Sequence, residues 1–134
     1  MAEGFTTSKA TEILTSNITP NTYICLSSTT PTKTGSNFSE PAVSAGYIRK
    51  AIGPLNTSKE AQIANDEIIF IFEALEDCGS ITHLGLADSN VIGSRVFLVA
   101  KLTNPMTVGA GYVPLIRKNK LVIGLDKEKL EAYA

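Results

Sequence analysis

His83 is the only histidine among 134 residues, so acid–base chemistry near neutral pH would centre on it. A hydrolytic site would need a nucleophile and an orienting acid converging on that ring, and Cys78 and Asp88 are the candidates near it in sequence. Their spacing fixes no such geometry. In Thr82-His83-Leu84 the imidazole is expected at a sheet edge or in a satisfied hydrogen-bonding site. Glu73, Glu76 and Asp77 form an acidic cluster. Paired carboxylates do acid–base work when their surroundings drive their pKa values apart, but a solvated loop is the plainer expectation. No calcium-loop motif surrounds them. Arg117, Lys118 and Lys120 make a small basic patch. Nucleic-acid binding would call for more cations with aromatics interleaved, so a charged rim is expected. An intermediate reading lets this rim meet the acidic cluster of a neighbouring subunit, where charge pairing sets register and partner choice. Gly109-Ala110-Gly111 has no following lysine and opens no helix, so it reads as a turn rather than a phosphate loop. Cys25 and Cys78 lack the spacing of a zinc site and read as reduced residues beside apolar runs. Nucleophile-elbow, Rossmann and zincin motifs are absent. The expectation is a protein with no enzymatic activity, no metal and no cofactor.

The elements that would position these residues are mostly strands. The chain is 43% hydrophobic and 19% charged with a formal net charge of -1, an ordinary globular composition without the basic footprint of a nucleic-acid binder. Its length suits one core. It has no apolar run long enough to span a membrane, and Met1 to Thr7 lacks the basic and apolar regions of a secretory signal. Neither nucleic acid nor membrane is expected as a partner. Ser8 to Ser16 reads as a short helix, with Ala10, Ile13 and Leu14 on one face and Thr7 or Ser8 as cap. From Thr22 the period becomes two: Tyr23, Cys25 and Ser27 point one way, Thr22, Ile24 and Leu26 the other.

Further strands are expected at Gly46 to Ile52, Ala61 to Asn65, Glu67 to Phe72, Ser80 to Asp88, Arg95 to Thr103 and Lys120 to Leu125. Glu67 to Phe72 reads as buried on both faces. In Arg95 to Thr103, Val96, Leu98, Ala100 and Leu102 face a core, and Phe97 with Val99 forms a second, outward apolar pair. Asn104-Pro105 is expected to break this strand, and Met106 to Val108 with Tyr112 to Ile116 to form a hairpin whose Pro114 strand lies at an edge. Asp126 could cap a terminal helix over Lys127 to Tyr133. The resulting fold class is all-β, an antiparallel β-sandwich or distorted barrel with short terminal helices. It divides into an N-terminal arm with a short helix (1–21), a β-sandwich domain (22–126) and a C-terminal tail (127–134).

Between the first two strands, Ser28 to Ala45 is long, polar and Pro-punctuated, with no general base, thiol or set of metal ligands. A loop of that kind suits a binding or assembly module better than an enzyme.

Several segments together resemble a known family. They are Tyr23-Ile24-Cys25-Leu26-Ser27-Ser28-Thr29-Thr30-Pro31, Glu40-Pro41, Gly46-Tyr47-Ile48-Arg49, Ala64-Asn65-Asp66-Glu67-Ile68, Gly79 to Asp88, Leu102-Thr103-Asn104-Pro105 and Val108-Gly109-Ala110-Gly111. In order and spacing they are similar to small structural proteins of tailed bacteriophages, often labelled tail-fibre proteins. Related small β proteins also serve as capsid decoration or minor capsid subunits. The resemblance covers most of residues 22 to 126, and Lys127 to Ala134 runs past it. It implies a virion component without enzymatic activity, made in the host cytoplasm. The reading adopted is a decoration protein on the capsid surface, stabilising the shell by binding only its assembled state, with the major capsid protein of the same phage as partner. The alternative is a tail-fibre or baseplate protein that binds other tail proteins. A symmetric homo-oligomer is expected, with a trimer as the candidate. The expected contact residues are Phe5, Thr29, Pro31, Asn37, Phe38, Pro41, Phe97, Val99, Arg117 and Lys118.

Overall fold

The structure, a computed structural model, describes residues 6–32, 34, 36–59, 61–125 and 130–133. It is mainly β, as the two-residue period requires. One helix, α1 (Thr7–Asn17), precedes the strands β1 (Tyr23–Ser27), β2 (Lys50–Ala51), β3 (Leu55–Asn56), β4 (Gln62–Asn65) and β5 (Ile69–Phe70). β6 (Gly79–Ala87), β7 (Val96–Val108), β8 (Leu115–Ile116), β9 (Val122–Leu125) and β10 (Leu130–Tyr133) follow. They form three antiparallel sheets in the orders β2-β1-β6-β7, β10-β9-β4-β3 and β5-β8.

One apolar core joins all three sheets and the helix. Ile24, Leu26, Leu84, Leu86 and Leu98 come from the first sheet, Ile63 and Ile123 from the second, Ile69 from the third, and Ala10 and Leu14 from α1. Ala10 and Leu14 are four residues apart, so one helical face enters the core. The α1 cap is Thr6, whose Oγ1 accepts the Lys9 N–H at 3.3 Å, one or two residues before the expected cap. β1 is buried on both faces: Ile24 and Leu26 enter the main core, while Cys25 joins Ala87 and Val96 in a second cluster.

The structure departs from the sequence reading where tertiary partners override local pattern. The Gly46 to Ile52 strand shrinks to β2. Ile24 faces Lys50 in the ladder, so the Leu26 N–H points to the same side, but there it donates to the Tyr47 hydroxyl at 3.1 Å instead of to a strand. Glu67 to Phe72 is not buried on both faces. Ile69, Ile71 and Phe72 are inside, whereas Ile68 and Phe70 are 43% and 54% exposed. β7 runs through Pro105, because β7 neighbours only β6 and a register shift between Ile81 and His83 accommodates the missing donor. The expected hairpin does not form: Met106 to Val108 pairs with Gly79 to Ile81, and β8 pairs with β5. The expected C-terminal helix is also replaced. Leu130–Tyr133 is β10, paired with β9, since so short a run gains more from a ladder than from one isolated turn. The tail beyond 126 is therefore in part a strand of a sheet, and its expected cap Asp126 lies outside the described residues.

Candidate functional site

A polar assembly gathers three loops onto one buried ion pair. Glu40 comes from the long loop after β1, Arg49 from the segment leading into β2, and Ser89, Gly93 and Ser94 from the loop between β6 and β7. Glu40 Oε1 accepts from Arg49 Nε at 2.8 Å and from the Tyr47 hydroxyl at 2.7 Å. Its Oε2 accepts from Arg49 Nη2 and from the Gly93 N–H, both at 3.0 Å. Arg49 Nη1 donates to the Ser89 carbonyl and Ser94 Oγ, and Nη2 also reaches the Ser94 carbonyl. Every N–H of the guanidinium thus has an acceptor. The Arg49 and Glu40 side chains are 1% and 6% exposed.

This electrostatic setting is structural. Burial alone would raise the Glu40 carboxyl, but hydrogen bonds from Arg49, Tyr47 and the Gly93 amide outweigh it and hold the group below the ordinary carboxylate value. Burial, then the bond to Glu40, raises the Tyr47 phenol. Burial pushes the Cys25 thiol up to about 12, so it stays protonated and inert. A cleft of about 330 Å³ lies beside the pair, lined by Asn37, Phe38 and Glu40 on one side and Gly93 to Val96 on the other. Of its lining, Glu40, Arg49, Gly93 and Ser94 already bond each other.

The long loop is tied down rather than free. Ser39 N donates to Ser27 Oγ at 3.0 Å, the Thr29 hydroxyl donates to the Asn37 carbonyl, and Asn37 Nδ2 donates to the Thr30 carbonyl at 2.9 Å. Phe38 lies over Gly85, where a Cβ would come within 2.9 Å of the ring. Phe38 and Val99 pack on the Cys25 cluster, and Phe97 packs against the main core. Thr29, Pro31, Phe38, Pro41, Phe97 and Val99 are all half-buried, Asn37 is exposed, and Phe5 lies outside the described residues. The structure brings Thr29, Asn37, Phe38 and Val99 into one loop-over-sheet unit. Arg117 and Lys118 are exposed elsewhere, next to the Asn65-clipped turn that leads into β9.

His83 and Asp77 make hydrogen bonds within the chain. His83 lies on β6, a central strand, and Nδ1 bonds the Thr82 hydroxyl at 2.8 Å. Burial, then the facing Lys101, lowers its pKa. Among the described residues no group of three or more histidine, cysteine or acidic side chains could hold a metal. Both cysteines are free. Asp77 Oδ1 accepts the Ala110 N–H at 2.8 Å, which fixes the Gly109-Ala110-Gly111 turn. Burial, then the carboxylates of Asp77 and Glu76, raises the Cys78 thiol, a local sign of negative potential at this corner.

A different surface is open. Ile71 N donates to the Pro114 carbonyl, Ala74 N to the Tyr112 carbonyl and Gly111 N to the Ala74 carbonyl. These bonds extend the β5–β8 pair into a ribbon along the outside. Phe70, Leu75, Tyr112 and Val113 stand out from it, 54%, 65%, 63% and 41% exposed. At one end are Glu73 and Glu76, at the other Arg117 and Lys120. Among the described residues none of these four forms an ion pair, while Lys118 meets Asp66 at 3.7 Å.

The Glu40–Arg49 pair escaped the sequence reading, since the eight intervening residues carry no periodic signal. The ribbon escaped because β5 reads as a core strand.

Comparison with known proteins finds no matching curated protein and no matching solved structure. One family model, described as Podophage GP4 fiber I protein gp80, matches residues 11–124, from within α1 to β9. The match spans the β1 strand, the Glu40–Arg49 knot and the ribbon alike, so the chain belongs to this family of tailed-phage structural proteins.

Proposed function

We propose that this chain is a non-enzymatic structural subunit of the virion, placed in the fibre apparatus and bound there to other tail proteins. The family match over residues 11–124, with its fibre description, carries this reading. The internal use of polar groups supports it: Glu40, Arg49 and Tyr47 bond each other and hold loops together, and Phe70, Leu75 and Tyr112 are exposed. The capsid-surface reading, with the major capsid protein as partner, draws on the same compact body and exposed apolar residues, which would also suit a repeated shell. The fibre description favours the tail.

Immunogold labelling and copy counting on purified particles separate the two. Label at the tail, in a number matching its rotational symmetry, is the expected result. Label spread over the head would overturn the tail placement in favour of shell decoration. For the non-enzymatic part, His83→Ala is expected to leave infectivity unchanged in particles that assemble normally. Lost infectivity in intact, fully loaded particles would contradict it.

A further inference from the structure

The ribbon carries two features that fit each other but cannot meet within one molecule. The first is a corner at its acidic end. Leu75 is 65% exposed there, flanked by Glu73, Glu76 and Asp77. The corner is held in place: Leu75 N donates to the Ala45 carbonyl at 2.8 Å, and Asp77 clips the neighbouring turn. The Leu75 side chain rests over Gly46, where a Cβ would lie 3.1 Å from its Cγ. The second feature is an apolar notch toward the other end. Ile71, Leu84, Leu102, Met106, Leu115 and Ile116 line most of it, and Arg117 and Lys120 stand at its rim. Its volume is about 260 Å³, several times the ~30 Å³ share of one water, so a branched aliphatic side chain can enter.

We propose that the notch of one copy receives the Leu75 corner of a second copy of this chain. Leu75 fills the apolar floor, while Glu73 and Glu76 meet Arg117 and Lys120. Three matches on the molecule single out this occupant: apolar projection to apolar recess, unpaired anions to unpaired cations, and a fixed corner that loses little freedom on docking. Because projection and recess lie at different places on the same chain, the contact is head-to-tail. Such a contact closes into a ring when its rotation permits and otherwise propagates. The proposal concerns the chain itself and stands whether the particle carries it on head or tail.

Sedimentation velocity of the full chain over a wide concentration range tests it. The wild type is expected to associate, less so as salt rises. Leu75→Asp, and separately Arg117→Glu with Lys120→Glu, should each weaken association by about tenfold or more, with unfolding unchanged at concentrations where the wild type is monomeric, because these side chains are exposed. Each such variant keeps one intact partner surface. Mixing the two should therefore give a dimer of one copy of each and nothing larger. A wild type that stays monomeric throughout would overturn the proposal, as would variants that associate as the wild type does. A mixture that forms no dimer would overturn the head-to-tail geometry and with it the proposal.

Discussion

The Glu40–Arg49 knot and the β5–β8 ribbon treat charge in opposite ways. In the knot every guanidinium N–H and both carboxylate oxygens are bonded inside the protein. On the ribbon Phe70, Leu75 and Tyr112 face outward, and Glu73, Glu76, Arg117 and Lys120 are left without ion-pair partners among the described residues. The polar groups of the knot thus hold three loops together, while the ribbon leaves apolar and charged side chains at the surface. The contrast fits a protein that works by assembly.

Breaking the knot has the largest expected effect. Arg49→Ala leaves the Glu40 carboxylate buried without its partner, which should cost about 3–5 kcal/mol, read as a lowered midpoint in denaturant. The same pair sets a pH dependence. Unfolded, the Glu40 carboxyl titrates near 4.5; folded, it titrates lower. Its stabilising contribution is therefore whole above pH 4.5, declines as pH falls below that value and is gone below the folded value. Glu40→Gln should flatten this acid limb, so that denaturant midpoints change less than in the wild type between about pH 5 and 3.

Where knot and ribbon meet, Gly46 supplies a smaller lever. Its φ is 89°, and a Cβ there would run into the Glu73 carbonyl oxygen. Gly46→Ala should cost about 1–3 kcal/mol and loosen the Leu75 corner as well. On the ribbon itself, Leu75→Asp should change stability by no more than about 0.5 kcal/mol. A large loss there would mean that the ribbon is part of the fold rather than a free surface, and the comparison would fail.

The fold class was legible because alternation is a local signal. Leu84 and Leu86, then Leu98 and Leu102, give their core face directly, whereas Val96, past the register shift between Leu86 and Ala87, joins the Cys25 cluster. The Ala10–Leu14 spacing of α1 also gives its core face directly. What stayed hidden depends on distant partners. Nothing near Lys127 to Tyr133 states that β9 offers an edge. Nothing in Gly46 to Ile52 states that a tyrosine hydroxyl will replace the ladder at Leu26. The run Ile68 to Phe72 is uniformly apolar, so its sequence cannot tell a core strand from a ribbon with one open face. Thr29, Asn37 and Phe38 were noticed as contact candidates because the loop is polar and long, yet their bonds run largely within it. The family match adds what neither pattern nor geometry supplies, the kind of particle in which such a surface would be used.

Hydrogen exchange on the chain within purified particles, set against the free chain, tests the central claim most directly. The account predicts added protection along the 69–75 and 111–117 segments, with Glu40, Arg49 and the Ser89 to Ser94 loop unchanged because they are already closed. Protection confined to the knot and its loops, with the ribbon exchanging as freely as in solution, would contradict it.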